Sequence, residues 1–119
     1  MINIQKPPVD IVEDENFFLI AVDLPGVLPE DIEISGYEQG IEIKGIKRSF
    51  FRGKFILMER QTGIFKRRID FKEFVNIEKA EAFIENGVLI IKVPKAKKEF
   101  YLKTSLKIII RTPFRGSKK

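Results

Sequence analysis

Residues 80–95 read AEAFIENGVLIIKVPK, two short apolar runs on either side of Asn86-Gly87. Asn-Gly is the strongest short-range signal for a β-hairpin, because a type I′ turn needs positive φ at both central positions. The runs 80–86 and VLIIKV (88–93) are therefore expected to pair antiparallel, and Pro94, which has no N–H to give a ladder, ends the second. The same grammar recurs outward from this hairpin. FFLIAVDL (17–24) is short, apolar and aromatic-rich, the composition of a strand buried on both faces. DIEIS (31–35) and GIEIKGIK (40–47) alternate Ile with charge, as half-buried strands with one wet face do. GIFKRRIDF (63–71) alternates as well and puts Phe65, Arg67, Ile69 and Phe71 on one side. Pro25-Gly26 marks a turn and Pro29 opens the next strand. No stretch of more than ten residues carries an apolar stripe of helical period. Seven or eight short strands at this spacing predict an all-β fold, an immunoglobulin-like antiparallel β-sandwich, with the pairing order left open.

With 119 residues, 44% apolar and 33% charged, the chain has the length and mixture of one globular domain. It contains no Cys and no His, which excludes disulfide frameworks, Cys/His zinc sites and serine–histidine or cysteine–histidine catalysis. MINIQKPP lacks the basic-then-apolar pattern of a signal peptide, and runs such as Phe17 to Val22 are too short to span a bilayer. A cytoplasmic protein without a membrane partner is expected. Gly45 and Gly53-Lys54 are seven residues apart where a P-loop has four, and Phe55 stands where Ser or Thr would hold magnesium. Glu13-Asp14-Glu15 lies between two strands, and Glu30-Asp31 follows Pro29; both read as solvated turns. No calcium loop is present, and no nucleophile has a base beside it. The residues predict neither an enzyme nor a cofactor.

Charge is divided along the chain. Residues 1–39 carry nine acids against Lys6 alone, while residues 40–119 carry 21 basic side chains against eight acids. Two stretches, 44–68 and 95–119, each hold nine Lys or Arg and one Glu. Solvated surface is the plain reading. Attraction to the acidic part of another copy ranks above nucleic acid, because the complement lies in the same chain and aromatics do not interleave with the tail's cations.

Three features ask for partners. Arg67 lies on the apolar side of its strand between Phe65 and Ile69, where a charge needs pairing unless an edge position lets it reach water. KRSFFRGKFILMER (47–60) places Phe50, Phe51, Phe55, Ile56, Leu57 and Met58 in a long connection, so it is expected to cover something, its own sandwich or a second subunit. The tail beyond Pro94 ends in TSLKIIIRTPFRG, and an extended chain would put Leu106, Ile108 and Ile110 on one side. Such a segment can dock as a strand on another chain or complete the chain's own sheet.

These residues resemble a known family. PPVDIVEDENFFLIAVDLPGVLPEDIEI (7–34) is similar to the opening of the α-crystallin domain of small heat-shock proteins. MERQTGIFKRRIDF (58–71) resembles its middle segment, and AEAFIENGVLIIKVPK its closing signature, in the same order over residues 7–95. The resemblance implies a short arm at 1–6, an α-crystallin domain at 7–95 and a basic extension at 96–119. It implies dimers as building blocks and ATP-independent binding of unfolding client proteins, a holdase. In bacterial, archaeal and plant members the loop before the Glu-Arg segment carries a strand exchanged between subunits; here that is 46–58, giving Phe50, Phe51, Phe55, Ile56 and Leu57 a place at the dimer interface. Arg67 falls on the family's interface arginine. The family's tail motif, Ile-x-Ile, docks in a groove of another dimer and builds higher homo-oligomers. Ile108 and Ile110 fit it best and Leu106 with Ile108 is the other register; the groove would be lined by Ile32 and Ile34 on one side and Ala80 and Ala82 on the other. Only MINIQK precedes Pro7, where family members carry a long apolar arm, and Ile2-Asn3-Ile4 is a second Ile-x-Ile that could compete for the groove. The alternatives are a structural subunit that co-assembles with a longer homologue, and a co-chaperone of the related CS-domain kind.

Overall fold

The computed structural model describes residues 4–97 and 106–111. Among these residues nine strands follow in order: β1 (Val9–Glu13), β2 (Phe17–Asp23), β3 (Ile32–Tyr37), β4 (Gly40–Lys47), β5 (Gly63–Asp70), β6 (Glu81–Glu85), β7 (Val88–Pro94), β8 (Leu106–Ile108) and β9 (Ile110–Arg111). They build two sheets, one ordered β1-β2-β7-β6-β9 and the other β5-β4-β3-β8. All neighbours are antiparallel except β6 and β9, which run parallel. The fold is the expected β-sandwich.

The deciding hairpin forms as read. Asn86 at φ 53° and Gly87 at φ 77° make its turn, and β6 pairs with β7 from Glu81↔Lys92 to Glu85↔Val88. Between the sheets the alternating positions close the core: Phe18, Ile20 and Val22 from β2, Ile34 from β3, Ile41 and Ile43 from β4, Phe65 and Ile69 from β5, Leu89, Ile91 and Val93 from β7. Burying one such aliphatic is worth about 1.5–3 kcal/mol before ordering costs, so this interface is the fold's main source of stability. Phe18 and Phe71 stack at 4.3 Å between centroids.

One expectation is corrected. The stretch 17–24 is not buried on both faces: Phe18, Ile20, Val22 and Leu24 point inward, while Leu19 is 36% exposed. No layer covers the outer side of β2, so an apolar run here belongs to a two-layer sandwich.

Gly45 sets the spacing of β4. It pairs with Ile32, and a Cβ built on it would lie 2.1 Å from the Asp31 carbonyl oxygen and 2.6 Å from the Phe65 ring. The single helical turn Pro29–Asp31 can approach the sheet only because this residue has no side chain.

The two ends of the sandwich are closed differently. At one end Gln5 bridges to Phe65: its N–H donates to the Ile64 carbonyl at 2.9 Å and its carbonyl accepts from the Lys66 N–H at 2.9 Å. At the other, β8 lies along β3 and β9 along β6, so one short tail segment spans both sheets.

Candidate functional site

The first candidate surface is the groove between β3 and β6. Leu106, Lys107 and Ile108 pair with Gly36, Ser35 and Ile34, and Ile110 then pairs with Ala82. Ile108 is 6% exposed, Leu106 and Ile110 are partly buried against the core, and Ile109 faces outward at 71% exposure. The period of two explains this division, since successive side chains of an extended segment take opposite sides. Both anticipated registers are therefore occupied at once: Leu106, Ile108 and Ile110 form one row with Ile108 at its centre.

Of the predicted groove residues, Ile34 and Ala82 are ladder partners of the tail. Ile32 belongs to the buried wall of the same edge, and Ala80, partly buried, sits just before β6. Small residues matter here because they leave room for the aliphatic knobs. Gly36, opposite Leu106, has Ile77 packed so closely that an added Cβ would lie 2.5 Å from it.

The tail in the groove belongs to the same chain. Docking on another dimer, which the resemblance implies, would make the same contacts between chains. Among the described residues, Ile4 and Gln5 do not take that position, and Ile4 is 54% exposed. Gln5 lies at the opposite end of the sandwich, on β5, while Ile2 and Asn3 fall outside the described residues.

An ion pair that the sequence reading missed fastens the segment. The Lys107 ammonium contacts the Glu33 carboxylate, and Lys44 stands 3.9 Å from the same side chain. The hydrogen bond from Lys107, and then its charge, hold the Glu33 carboxyl below the usual carboxylate range. The alternation of DIEIS and LKI carried the signal, since both charges must occupy the outer positions beside Ile34 and Ile108.

The second candidate surface is the connection between β4 and β5, residues 48–62. It does not fold over its own sandwich. Phe50 is 75% exposed, Phe51 74%, Ile56 99% and Leu57 72%, with Phe55 and Met58 exposed as well. Arg48 is tied to Asp31 by two hydrogen bonds of 2.9 and 3.1 Å, and Arg60 lies over the Phe50 ring at 5.1 Å. Among the described residues the outer edge of β1 is also unpaired, and its Ile11 and Val12 are exposed at 45% and 60%. The β1 residues gave no alternation to mark them beforehand.

Arg67 stands between these features. Its strand β5 is an edge strand, yet the side chain does not simply reach water. Nη1 donates to the Pro7 carbonyl oxygen at 3.3 Å, and Nε is buried with no acceptor. A guanidinium with a dry, unmet N–H is costly where it stands and well suited to an incoming carboxylate.

At the far end of β1, Lys95 joins three elements. Its ammonium is 2.6 Å from Glu13 and 3.3 Å from Glu73, and it lies over the Phe18 ring at 5.1 Å. The hydrogen bond that Lys95 donates to Glu13 raises the lysine's pKa and lowers that of Glu13.

Among the described residues no group of acidic side chains could hold a metal, and no helix is long and apolar enough to cross a membrane. Both candidate surfaces consist of sheet edges and apolar side chains. Such an arrangement binds extended peptide segments, through main-chain hydrogen bonds and pockets for alternate side chains.

Comparison with known proteins agrees with the geometry. The model of the Hsp20/alpha crystallin family matches residues 10–111. A probable 15 kDa heat shock protein of Leptospira interrogans is 32% identical over 81% of this chain and 75% of its own length. A 17.7 kDa class II heat shock protein of Arabidopsis thaliana is 29% identical over 74% of this chain, and the match spans 60% of that plant protein. Among solved structures, hspA of Xanthomonas axonopodis superposes with a TM-score of 0.65 at 34% identity, covering 76% of this chain and 94% of that one. Heat shock protein 16.0 of Schizosaccharomyces pombe gives a TM-score of 0.72 at 25% identity, covering 85% of this chain and 74% of that one.

Proposed function

The chain belongs to the Hsp20/alpha crystallin family, and on that premise we propose that it is an ATP-independent holdase of the cytoplasm, built from strand-exchanged dimers. It acts by binding alone, shielding apolar segments of unfolding proteins until other factors refold them. The observation that carries the exchanged dimer is the exposed apolar connection 48–62, headed by Ile56 at 99% and Phe50 at 75% exposure, and the holdase activity rests on membership of the family. Large aliphatic and aromatic side chains standing in water on a chain with a full core are a binding surface.

The dimer follows from the free edges. Gln5 takes the first half of the outer edge of β5, and the tail segment takes β3 and β6. Among the described residues the outer edge of β1 is open, with Ile11 and Val12 exposed beside the acids Asp10, Glu13, Asp14 and Glu15. The connection 48–62 is apolar and basic, with Arg48, Arg52, Lys54 and Arg60. Strand addition by the connection of one copy to β1 of the other would bury the apolar side chains and join opposite charges. A carboxylate of the second copy near β5 would also satisfy the Nε of Arg67. Phe50, Phe51, Phe55, Ile56, Leu57 and Arg67 are thus assigned to the dimer interface, and the row Leu106, Ile108 and Ile110 to the groove.

The test is suppression of client aggregation without nucleotide, at near-equal subunit ratios and raised temperature. Suppression by wild type, and its loss in Phe50→Ser with Ile56→Ser, is the expected result. No suppression by a folded wild-type protein would overturn the holdase reading and leave a structural co-assembly subunit.

A further inference from the structure

A cleft of about 530 Å³ lies between the amino-terminal segment 5–8, the turn that follows β2 and the start of β5. Its size is that of sites that take small molecules. Leu24, Val27 and Phe65 line it and are 3%, 8% and 3% exposed, so its floor is apolar and continuous with the core. The walls are held by hydrogen bonds within the chain. Besides its main-chain bridge to β5, Gln5 donates from Nε2 to the Thr62 carbonyl at 2.7 Å, and the Asp23 N–H donates to the Pro8 carbonyl at 3.1 Å. A cleft formed in advance spends little binding energy on ordering its walls.

The same bonds decide what kind of molecule fits. Pro7, Pro8 and Pro25 have no N–H, and those of Gln5, Asp23, Leu24 and Val27 are already given to carbonyls of the chain. These walls offer no ladder to an extended segment, unlike the sheet edges described above, and a peptide strand gains its affinity from such a ladder. The site suits a compact molecule held by its apolar body.

Charge decides the rest. Lys6 and Lys47 line the cleft, and Arg60 reaches its side at Gly26. The point where a Gly26 side chain would begin is 3.9 Å from Lys47 Nζ and 3.5 Å from Arg60 Nη2, so the two cations converge there. Among the described residues none of the three cations has a carboxylate within ion-pair distance. Arg60 also lies over the Phe50 ring, a contact with the ring face that uses no N–H donor. Asp23 is the acid on the lining, and the balance is positive. Like charges brought together without a counter-ion repel, and an anion between them turns that repulsion into attraction.

We infer that this cleft is a binding site for a small amphipathic anion. Its rings or short alkyl chain rest on Leu24, Val27 and Phe65, and its carboxylate or sulfonate lies between Lys47 and Arg60. Gly26, at φ 79°, keeps the approach to the two cations clear, since any side chain there would stand where the anion does. The site is independent of client capture and of the groove between β3 and β6.

The full-length protein is titrated calorimetrically with 2-naphthoate and with 2-naphthalenemethanol, which keeps the rings and drops the charge. Two partly exposed ion pairs should favour the anion about tenfold. Lys47→Met with Arg60→Met, both outside the core, should bring naphthoate down to the affinity of the alcohol. Hydrogen exchange with naphthoate bound should slow at 5–8 and 23–27 and stay unchanged at 50–58. Equal affinity for the two probes, an unaltered double variant, or protection confined to 50–58 would overturn the site. The comparison of the two probes is made on the wild-type protein, so it decides even where the double variant fails to fold. A capped tetrapeptide Asp-Ile-Val-Glu that binds more tightly than naphthoate would overturn the small ligand in favour of an acidic segment. None of these readings involves aggregation suppression, so the site and the holdase reading fail separately.

Discussion

Truncating Ile108 to Ala tests the groove most directly. Ile108 is 6% exposed, its ladder partner Ile34 is 1% exposed, and it lies at the centre of the docked row. The substitution removes three carbons from a buried site, worth about 2.4 kcal/mol at about 0.8 per methylene. Ile→Ala in a rigid core costs about 2–5 kcal/mol, the upper range being cavity left unfilled. A three-residue strand at the end of a sheet can settle inward, so the lower part applies, about 2.5 kcal/mol, or roughly a 60-fold weaker docking equilibrium. The loss is local, because β8 and β9 add to a sandwich whose buried core, Ile108 apart, lies outside the tail. Amide hydrogen exchange reads it: amides of the β3–β8 ladder should exchange roughly 60-fold faster, while those between β2 and β7 keep their rates. Ile109→Ala, at a side chain 71% exposed, should leave both sets unchanged. Equal effects of the two substitutions, or protection of β3 untouched by Ile108→Ala, would refute the reasoning.

Three other outcomes follow. Gly45→Ala forces a methyl to 2.1 Å from the Asp31 carbonyl oxygen; overpacking of about 1–3 kcal/mol should lower Tm by roughly 5–15 °C in thermal melts, and an unchanged Tm would mean the turn at 29–31 is not held against β4. Arg67→Ala removes the cation whose buried Nε is left for a partner's acid in the proposed interface, and sedimentation equilibrium should show the dimer constant at least about tenfold weaker; an equally tight dimer returns Arg67 to a bystander on an edge strand. Docking lowers the pKa of Glu33, so its contribution is complete above the ordinary carboxylate range and fades as pH falls through the lowered docked value. Protection of the β3–β8 ladder should drop in that acid window, and Lys107→Met should remove the pH dependence while retaining the apolar row; a Lys107→Met protein with the same acid profile would exclude the ion pair as its cause.

Much of the fold was legible because β patterns are local. Asn86-Gly87 chose the hairpin by its backbone preference, and alternation in 31–35, 40–47 and 63–71 assigned inner and outer faces without any knowledge of neighbours. Where alternation was missing the reading slipped: FFLIAVDL looked buried on both faces because Phe17 and Leu19 are apolar, yet Leu19 lies on the exposed outer side of the sheet. The odd residues of the candidate surfaces, an arginine among aromatics and six large apolar side chains in one connection, stood out for the same local reason. Gln5 gave no such signal, since a polar residue bridging by its backbone has no pattern of its own.

The amino-acid sequence by itself determined which side chains face inward along each strand, where the turns fall, and that Leu106, Ile108 and Ile110 share one side. These depend only on the two-residue period and on the φ each residue tolerates. The tertiary structure decided what those faces meet. Strand order brings Ile34 and Ala82, 48 positions apart in the chain, to the two walls of one groove, and the same order leaves β1 open at the opposite end. It also brought β8 beside β3 and β9 beside β6, so that one tail segment meets the edges of both sheets, a pairing that no single stretch of sequence contains.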